Sequence, residues 1–303
     1  MNGKTKINIS GIIGLVLALV LVVILGMAYT TVTNDDGSVS AMIDFKQLLN
    51  FWDVTSVAIT VGGTIGALIF GFPWSVLKTV PKMLKIAFAP KKYDPYAVIE
   101  EMVDYCKTAR MKGILQLEES ANACKDPFTK AALMLIVDAN DSDKVRQMLD
   151  DSIDFMCERH ESNMAFFTRG SAVAPAFGML GTLVGLINML KSMDPSNSAS
   201  ASGLGAAMSV ALVTTLYGSF LANVLFTPIG SLCKYNHEQE LLCMQIVEEG
   251  ALAIVSGANP RYVQEKLEMM LPKTEVDKRK GGGKKAAVAE QKEIINNTKQ
   301  DRK

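Results

Sequence analysis

Apolar residues gather in four long stretches, 7–30, 54–72, 172–190 and 204–229, and none of them carries a charged residue in its interior. About 20 apolar residues cover the hydrocarbon thickness of a bilayer. A water-soluble core helix of that length would keep a polar face, so the pattern predicts four membrane helices. Between the second and third stretches lies a hydrophilic insert of about ninety residues, enough for a small domain. Its apolar positions keep helical spacing. Tyr96, Ile99, Met102, Val103 and Cys106 follow Asp94 and Pro95, which suit a helix cap and first turn. Gly113 breaks that pattern, Ile114, Leu115 and Leu117 resume it, and a run over 128–137 precedes Asp141. Asp141 reads as the cap of a further pattern through Val145, Met148, Leu149, Ile153 and Met156. Alternation of period two is absent from the insert, so the domain is predicted to be helical.

The expected fold is therefore an all-α membrane protein: four transmembrane helices with a helical cytoplasmic domain inserted between helices two and three. Residues 1–74 form the N-terminal hairpin, its helices joined by a polar loop, and 75–167 form the inserted domain. Residues 168–232 carry helices three and four, at 170–190 and 204–229. Helix three is expected to begin below the membrane, because Ile153, Met156, Met164, Phe166 and Phe167 keep an apolar pattern up to Arg169. Helix four is expected to continue into 233–272 through Leu241, Met244, Val247 and Leu252. The basic stretch 273–303, with three glycines at 281–283, reads as a disordered tail.

The chain has no net charge, so only the placement of charge is informative. Lys4 and Lys6 precede helix one, and Lys78, Lys82, Lys85, Lys91 and Lys92 follow helix two. The loops 31–50 and 191–202 hold few basic residues. Lysine and arginine mark the cytoplasmic side, so both termini and the insert of this multi-pass protein are expected there. The first apolar run, 11–29, is longer than a signal-peptide core and lacks a convincing small-residue cleavage site; it reads as a retained helix. Cys106, Cys124, Cys157, Cys233 and Cys243 are scattered without a paired motif, and His160 and His237 are the only histidines. No metal site and no cofactor site is expected.

Helix four has one face of small residues: Ala207, Ala211, Thr215, Gly218 and Ala222 recur at steps of three or four. Helix three offers Pro175, Gly178, Thr182, Gly185 and Met189 at the same spacing. Small residues let helix backbones approach closely in lipid, where apolarity gives no drive to associate. Gly178, Gly185, Ala211, Gly218 and Ala222 are thus the candidate packing positions, within the chain or between chains. Thr182, Thr214 and Thr215 bring hydroxyls that line a polar crevice without the desolvation cost of a charge, or simply bond their own helix carbonyls. Pro175 and Pro228 each remove a helix hydrogen bond. What these stretches lack is a titrating group, which ion-moving proteins usually keep inside the membrane.

The segments PAFGMLGTLVGLINML (175–190) and AMSVALVTTLYGSFLANVLFTPIG (207–230) resemble membrane helices three and four of MotA/PomA, the stator subunits of the bacterial flagellar motor. The order of parts agrees over nearly the whole chain. The related ExbB and TolQ proteins, energisers of envelope proteins, have a single membrane helix before their cytoplasmic region; such a role is the alternative. The resemblance implies that Pro175 and Pro228 couple ion flow to conformational change, and that Thr182 and Thr215, with Thr214 adjacent, line the ion path. In RMKGILQLEE it implies that Arg110 and Glu118 touch the rotor protein FliG, with Glu158 a looser match to a further acidic position. It also implies a ring of five such subunits around two MotB-like single-span helices, each supplying an essential Asp. The transported ion is H+ or Na+. Hydroxyls suit sodium, but proton-using members also keep threonine at these places.

Other classes fit poorly. GGGKK lacks both the spacing of a phosphate loop and a preceding strand, and His160 beside Glu161 does not continue as a zinc-protease motif, because Met164 and Ala165 follow. No nucleophile, base and orienter fall together, so the chain is not expected to be an enzyme. No repeat relates the two helix pairs, as a secondary transporter would usually show. Nothing indicates a nucleic-acid partner, whereas membrane lipid is an expected one.

Overall fold

The computed structural model describes residues 9–21, 29–33, 39–43, 45–90, 93–138, 141–192, 200–274, 276–277 and 279. They divide into two compact units: one from Lys92–Cys157 and residues 238–279, the other from Lys4–Lys91 and Glu158–His237. The predicted tail lies outside the described residues from 280 onward, as do 193–199 between the last two membrane stretches.

In the second unit, α1 (Ile9–Val20) represents the first predicted span, 7–30; its residues 7–8 and 22–28 lie outside the described residues, and Tyr29 and Thr30 belong to a β-strand instead of the helix. The next apolar stretch is a continuous helix, α2 (Val54–Val57), a π-helical segment Ala58–Gly62, and α3 (Gly63–Gly71). It starts sharply because the Asp53 carboxylate caps it, accepting from the Ser56 amide at 2.6 Å. Pro73 then leads into the amphipathic α4 (Trp74–Phe88). The last two apolar stretches lie in α8 (Ser142–Ser192) and in α9 (Ser200–Phe220), which passes through a π-helical segment Leu221–Phe226 into α10 (Thr227–Val255).

Three described helices are long and apolar enough to cross a membrane: Val54–Gly71, Ser142–Ser192 and Gly203–Val255. Within their apolar windows only 22%, 22% and 28% of residues are buried in the chain. Phe70, Leu183, Leu190 and Leu212 are among the large side chains left exposed. Such an outside would be untenable in water and is normal in lipid.

One element departs from an all-helical chain. Tyr29–Thr33 and Val39–Ile43 pair as an antiparallel hairpin, β1 and β2, in register from Tyr29 opposite Ile43 to Thr33 opposite Val39. The predicted polar loop after helix one is therefore partly structured: YTTVT and VSAMI carry β-branched residues on either side of the turn-forming sequence NDDGS. A 3-10 helix, Phe45–Phe51, follows.

The first unit is built on α5 (Pro95–Lys112), α6 (Leu117–Ala123), α7 (Pro127–Asp138), the start of α8, the end of α10, and α11 (Pro260–Glu268). Asp94 caps α5 with Pro95 at its first position, and Gly113, at φ 92°, ends it. That left-handed backbone suits glycine. Gly257 closes α10 in the same way: its amide donates to the Ile254 carbonyl and the Ala258 amide to that of Ala253, both at 3.0 Å. Ile99, Met102, Leu117, Leu133, Val145, Ile246 and Leu267 fill the core. Tyr93 is half-buried beside Glu240, and loss of solvent first, then that carboxylate, push its hydroxyl well above the ordinary tyrosine range.

A candidate ion pathway and two contact surfaces

In the membrane unit the glycines of α8 let it lie directly on α9. A Cβ on Gly178 would stand 3.1 Å from the Thr214 carbonyl oxygen and 3.3 Å from the Thr215 Cα. One on Gly218 would stand 2.7 Å from the Ala174 carbonyl oxygen and 3.2 Å from the Pro175 Cα. One on Gly185 would meet Ala211 Cβ at 2.8 Å. The helices thus meet backbone to backbone along Gly178, Gly185, Ala211 and Gly218. Gly181 belongs to this seam too, pressed against the Thr214 side chain. It was legible as the middle glycine in GMLGTLVG, spaced three and four from its neighbours. Ala222, on the π-helical segment, is buried at 3% exposure.

The three threonines divide between two environments. Thr214 is fully buried and donates to the carbonyls of Val210 and Ala211, each at 2.9 Å. Thr215 is exposed, bonded to the Ala211 carbonyl at 3.3 Å, and Thr182 is half-exposed, bonded to the Met179 carbonyl at 2.6 Å. Adjacent residues on a helix point about 100° apart, so Thr214 turns into the chain while Thr215 faces away from it.

Opposite Thr214 stands a set of hydroxyls that the sequence reading missed. Ser56, Thr60 and Thr64 are all fully buried and follow one another at four-residue steps. Ser56 Oγ lies 3.4 Å from the Val210 carbonyl and Thr60 Oγ1 3.4 Å from that of Thr214, while Thr64 donates to the Thr60 carbonyl at 2.6 Å. The Tyr217 hydroxyl donates to the Phe51 carbonyl near the end of the same helix pair. The available signal was their four-residue spacing within an apolar stretch. Among the described residues no buried side-chain nitrogen or oxygen lacks a partner.

Both prolines lie at irregular or tightly packed places. Pro228 is exposed and lies two residues after the π-helical segment, beyond Thr227. It has no amide for the Val224 carbonyl, and a widened turn is one way a helix absorbs such a loss. With Gly11, Gly14, Asn223 and Val224 it lines a cavity of about 440 Å³. Asn223, an amide within an apolar stretch, was not singled out from the sequence; it donates to the Ser219 carbonyl at 3.0 Å. Pro175 sits inside α8 without breaking it, half-buried against Gly218.

In the other unit, Arg110 ends α5 and Glu118 lies in the first turn of α6. Both are exposed, and neither makes an ion pair among the described residues. Between them Met111 and Leu115 are 75% and 76% exposed. An apolar tip ringed by unpaired charge is a surface suited to another protein. The pattern had placed Leu115 among core positions; the 3-10 turn Ile114–Gln116 after Gly113 shifts the helical phase and turns it outward.

Residues 120–246 match the MotA/TolQ/ExbB proton channel family. The chain is 38% identical over 229 residues to the uncharacterized protein YtxD of Bacillus subtilis, covering 76% of this chain and 82% of that one. Motility protein A of Borreliella burgdorferi is 37% identical over 221 residues, 73% and 83% of the two chains. The chain belongs to the MotA/TolQ/ExbB proton channel family. In structure it resembles the flagellar MotAB stator complex of Bacillus subtilis, with a TM-score of 0.74, 30% identity, and 88% and 97% of the two chains covered. Within the family it is a flagellar stator subunit of the motility protein A kind, a helical membrane component and not an enzyme. Neutral oxygens such as those of Thr182 and Thr215 can solvate a passing cation. They cannot hold a proton at neutral pH.

Proposed function

We propose that this stator subunit is a neutral, hydroxyl-bearing sleeve that, with a MotB-like single-span partner supplying an essential Asp, couples inward flow of H+ or Na+ to torque on a FliG-like rotor protein. The observation that carries the reading is the pairing of charge-free membrane stretches with hydroxyls at Thr182 and Thr215 left open on the outside of the α8 and α9 seam. Four membrane helices, a cytoplasmic insert and cytoplasmic termini complete the topology, supported by the lysines after helix two. Subunits assemble as a ring, by family likeness a pentamer. Pro175 and Pro228 convert ion binding at the partner's Asp into a change of helix shape, and Arg110 and Glu118 bear on the rotor through charge complementarity.

Magnitudes favour small steps. One elementary charge falling through 100 mV supplies about 2.3 kcal/mol. Swinging a two-state element from 1:99 to 99:1 takes about 5.5 kcal/mol, so ions taken in succession by a stepping ring suit the supply better than one complete switch.

The test is swimming speed of cells that depend on this subunit, first with external sodium replaced and then with the proton gradient collapsed. Loss under one condition alone names the ion. Swimming unaffected by deletion of the subunit would move the chain to an ExbB/TolQ-like role. Cation flux through the purified subunit in liposomes without its partner would overturn the neutral sleeve.

A further inference from the structure

Helix α4 arranges three kinds of surface in sequence around its axis. Val76, Met83 and Ala87 are buried, the last two in the membrane unit's own core with Phe167 and Cys233. About 100° further round, Leu77, Val80, Pro81 and Leu84 line an open apolar groove of about 540 Å³, whose other wall includes Phe166 and Phe226. About 100° further again run Lys78, Lys82 and Lys85, all exposed. Trp74, 66% exposed, lies between groove and lysines at the start of the helix, just past the end of the apolar stretch at Gly71.

Among the described residues the charge on this face has no acidic counterpart. No acidic residue occurs between Asp53 and Asp94, and none of the three lysines takes part in an ion pair among the described residues. Three lysines elsewhere do have acidic partners: Lys107 with Asp104, Lys144 with Asp141, Lys266 with Glu249. A tryptophan at the end of a membrane stretch marks headgroup depth, and basic residues beside a membrane helix attract anionic lipid.

From this ordering we infer that α4 holds an anionic phospholipid of the adjoining leaflet, with an acyl chain in the groove bounded by Val80, Leu84, Phe166 and Phe226 and the phosphate among Lys78, Lys82 and Lys85. A second copy of the chain laid in the groove would cover the apolar wall and leave the lysine row unanswered. An anionic amphiphile satisfies both at once. Under the topology proposed above the leaflet is the cytoplasmic one, but binding in symmetric bilayers does not depend on sidedness. Failure of the lipid site and failure of the topology are therefore distinguishable.

The test uses the full-length chain with its partner subunit, reconstituted in nanodiscs of phosphatidylcholine with graded phosphatidylglycerol, and counts retained lipid by native mass spectrometry. Phosphatidylglycerol is expected to be retained in preference to phosphatidylcholine, less so as salt rises. Each lysine near an anionic surface favours binding about fivefold. The triple Lys78→Gln, Lys82→Gln, Lys85→Gln variant should thus lose selectivity on the order of 100-fold at low salt, and the triple arginine variant should keep it. Val80→Trp, which fills the groove with the lysines intact, should lower retention. Wild-type selectivity in the glutamine variant overturns the proposal, as does a Val80→Cys chain that crosslinks to a second copy with no lipid retained.

Discussion

At the scale of single residues, the seam between α8 and α9 rests on the absence of side chains. A methyl group on Gly218 would lie 2.7 Å from a carbonyl oxygen of the facing helix, and backbone cannot step aside as a flexible side chain can. Gly218→Val is expected to lower the detergent-phase melting temperature by an amount corresponding to about 1–3 kcal/mol of overpacking or more. Gly66→Ala, where nothing lies within 4 Å, should be neutral or slightly stabilising. Cysteine chemistry offers a second check. Cys106 is buried and its thiol is pushed above the ordinary range, mainly by burial, with nearby Arg110 opposing. Cys124 is only half-buried. At mildly alkaline pH a maleimide should label Cys124 well before Cys106, and unfolding should abolish the difference. The folded state keeps the Cys106 proton where the unfolded chain has begun to release it. This site's effect on stability is therefore absent at neutral pH and grows unfavourable as pH climbs through the ordinary thiol range.

At the scale of elements, the apolar stretches and the helical periodicity of the insert were plain in the sequence because each is a repeated signal spread over many residues. Asp94 with Pro95, and Gly113, were legible because capping chemistry is local. Two things were not. The β1 and β2 hairpin is short, and its strands sit between stronger patterns. The inward turn of Thr214 and the ladder of Ser56, Thr60 and Thr64 depend on which neighbour a helix face meets, which one strand of sequence does not encode. The π-helical segments were equally hidden, although one of them, Leu221–Phe226, lies just before Pro228, which has no amide to donate. Pro228→Ala restores that amide. It should reduce swimming speed several-fold while leaving the amount of protein in the membrane unchanged; full speed would detach the proline from coupling. Thr60→Val removes one buried hydroxyl but leaves Thr182 and Thr215 in place, and is expected to change stability before it changes ion preference, measured as melting temperature against sodium-dependent speed.

For the whole molecule, the two compact units divide the labour, one apolar outside and one with a conventional core. Arg110→Glu, on an exposed tip remote in sequence from any membrane stretch, should slow or stop swimming while membrane assembly stays intact, and a charge-reversed rotor protein should partly restore it. Normal swimming would remove Arg110 from the rotor contact. The low burial within the apolar windows, 22% to 28%, has its own corollary. Acyl tails are as apolar as leucine, so a departing neighbour is replaced by lipid at little energetic loss. In the ring proposed above, subunits can then join and leave in the plane of the bilayer without unfolding, meeting through exposed apolar side chains, since the glycines of α8 and α9 are already spent within the chain.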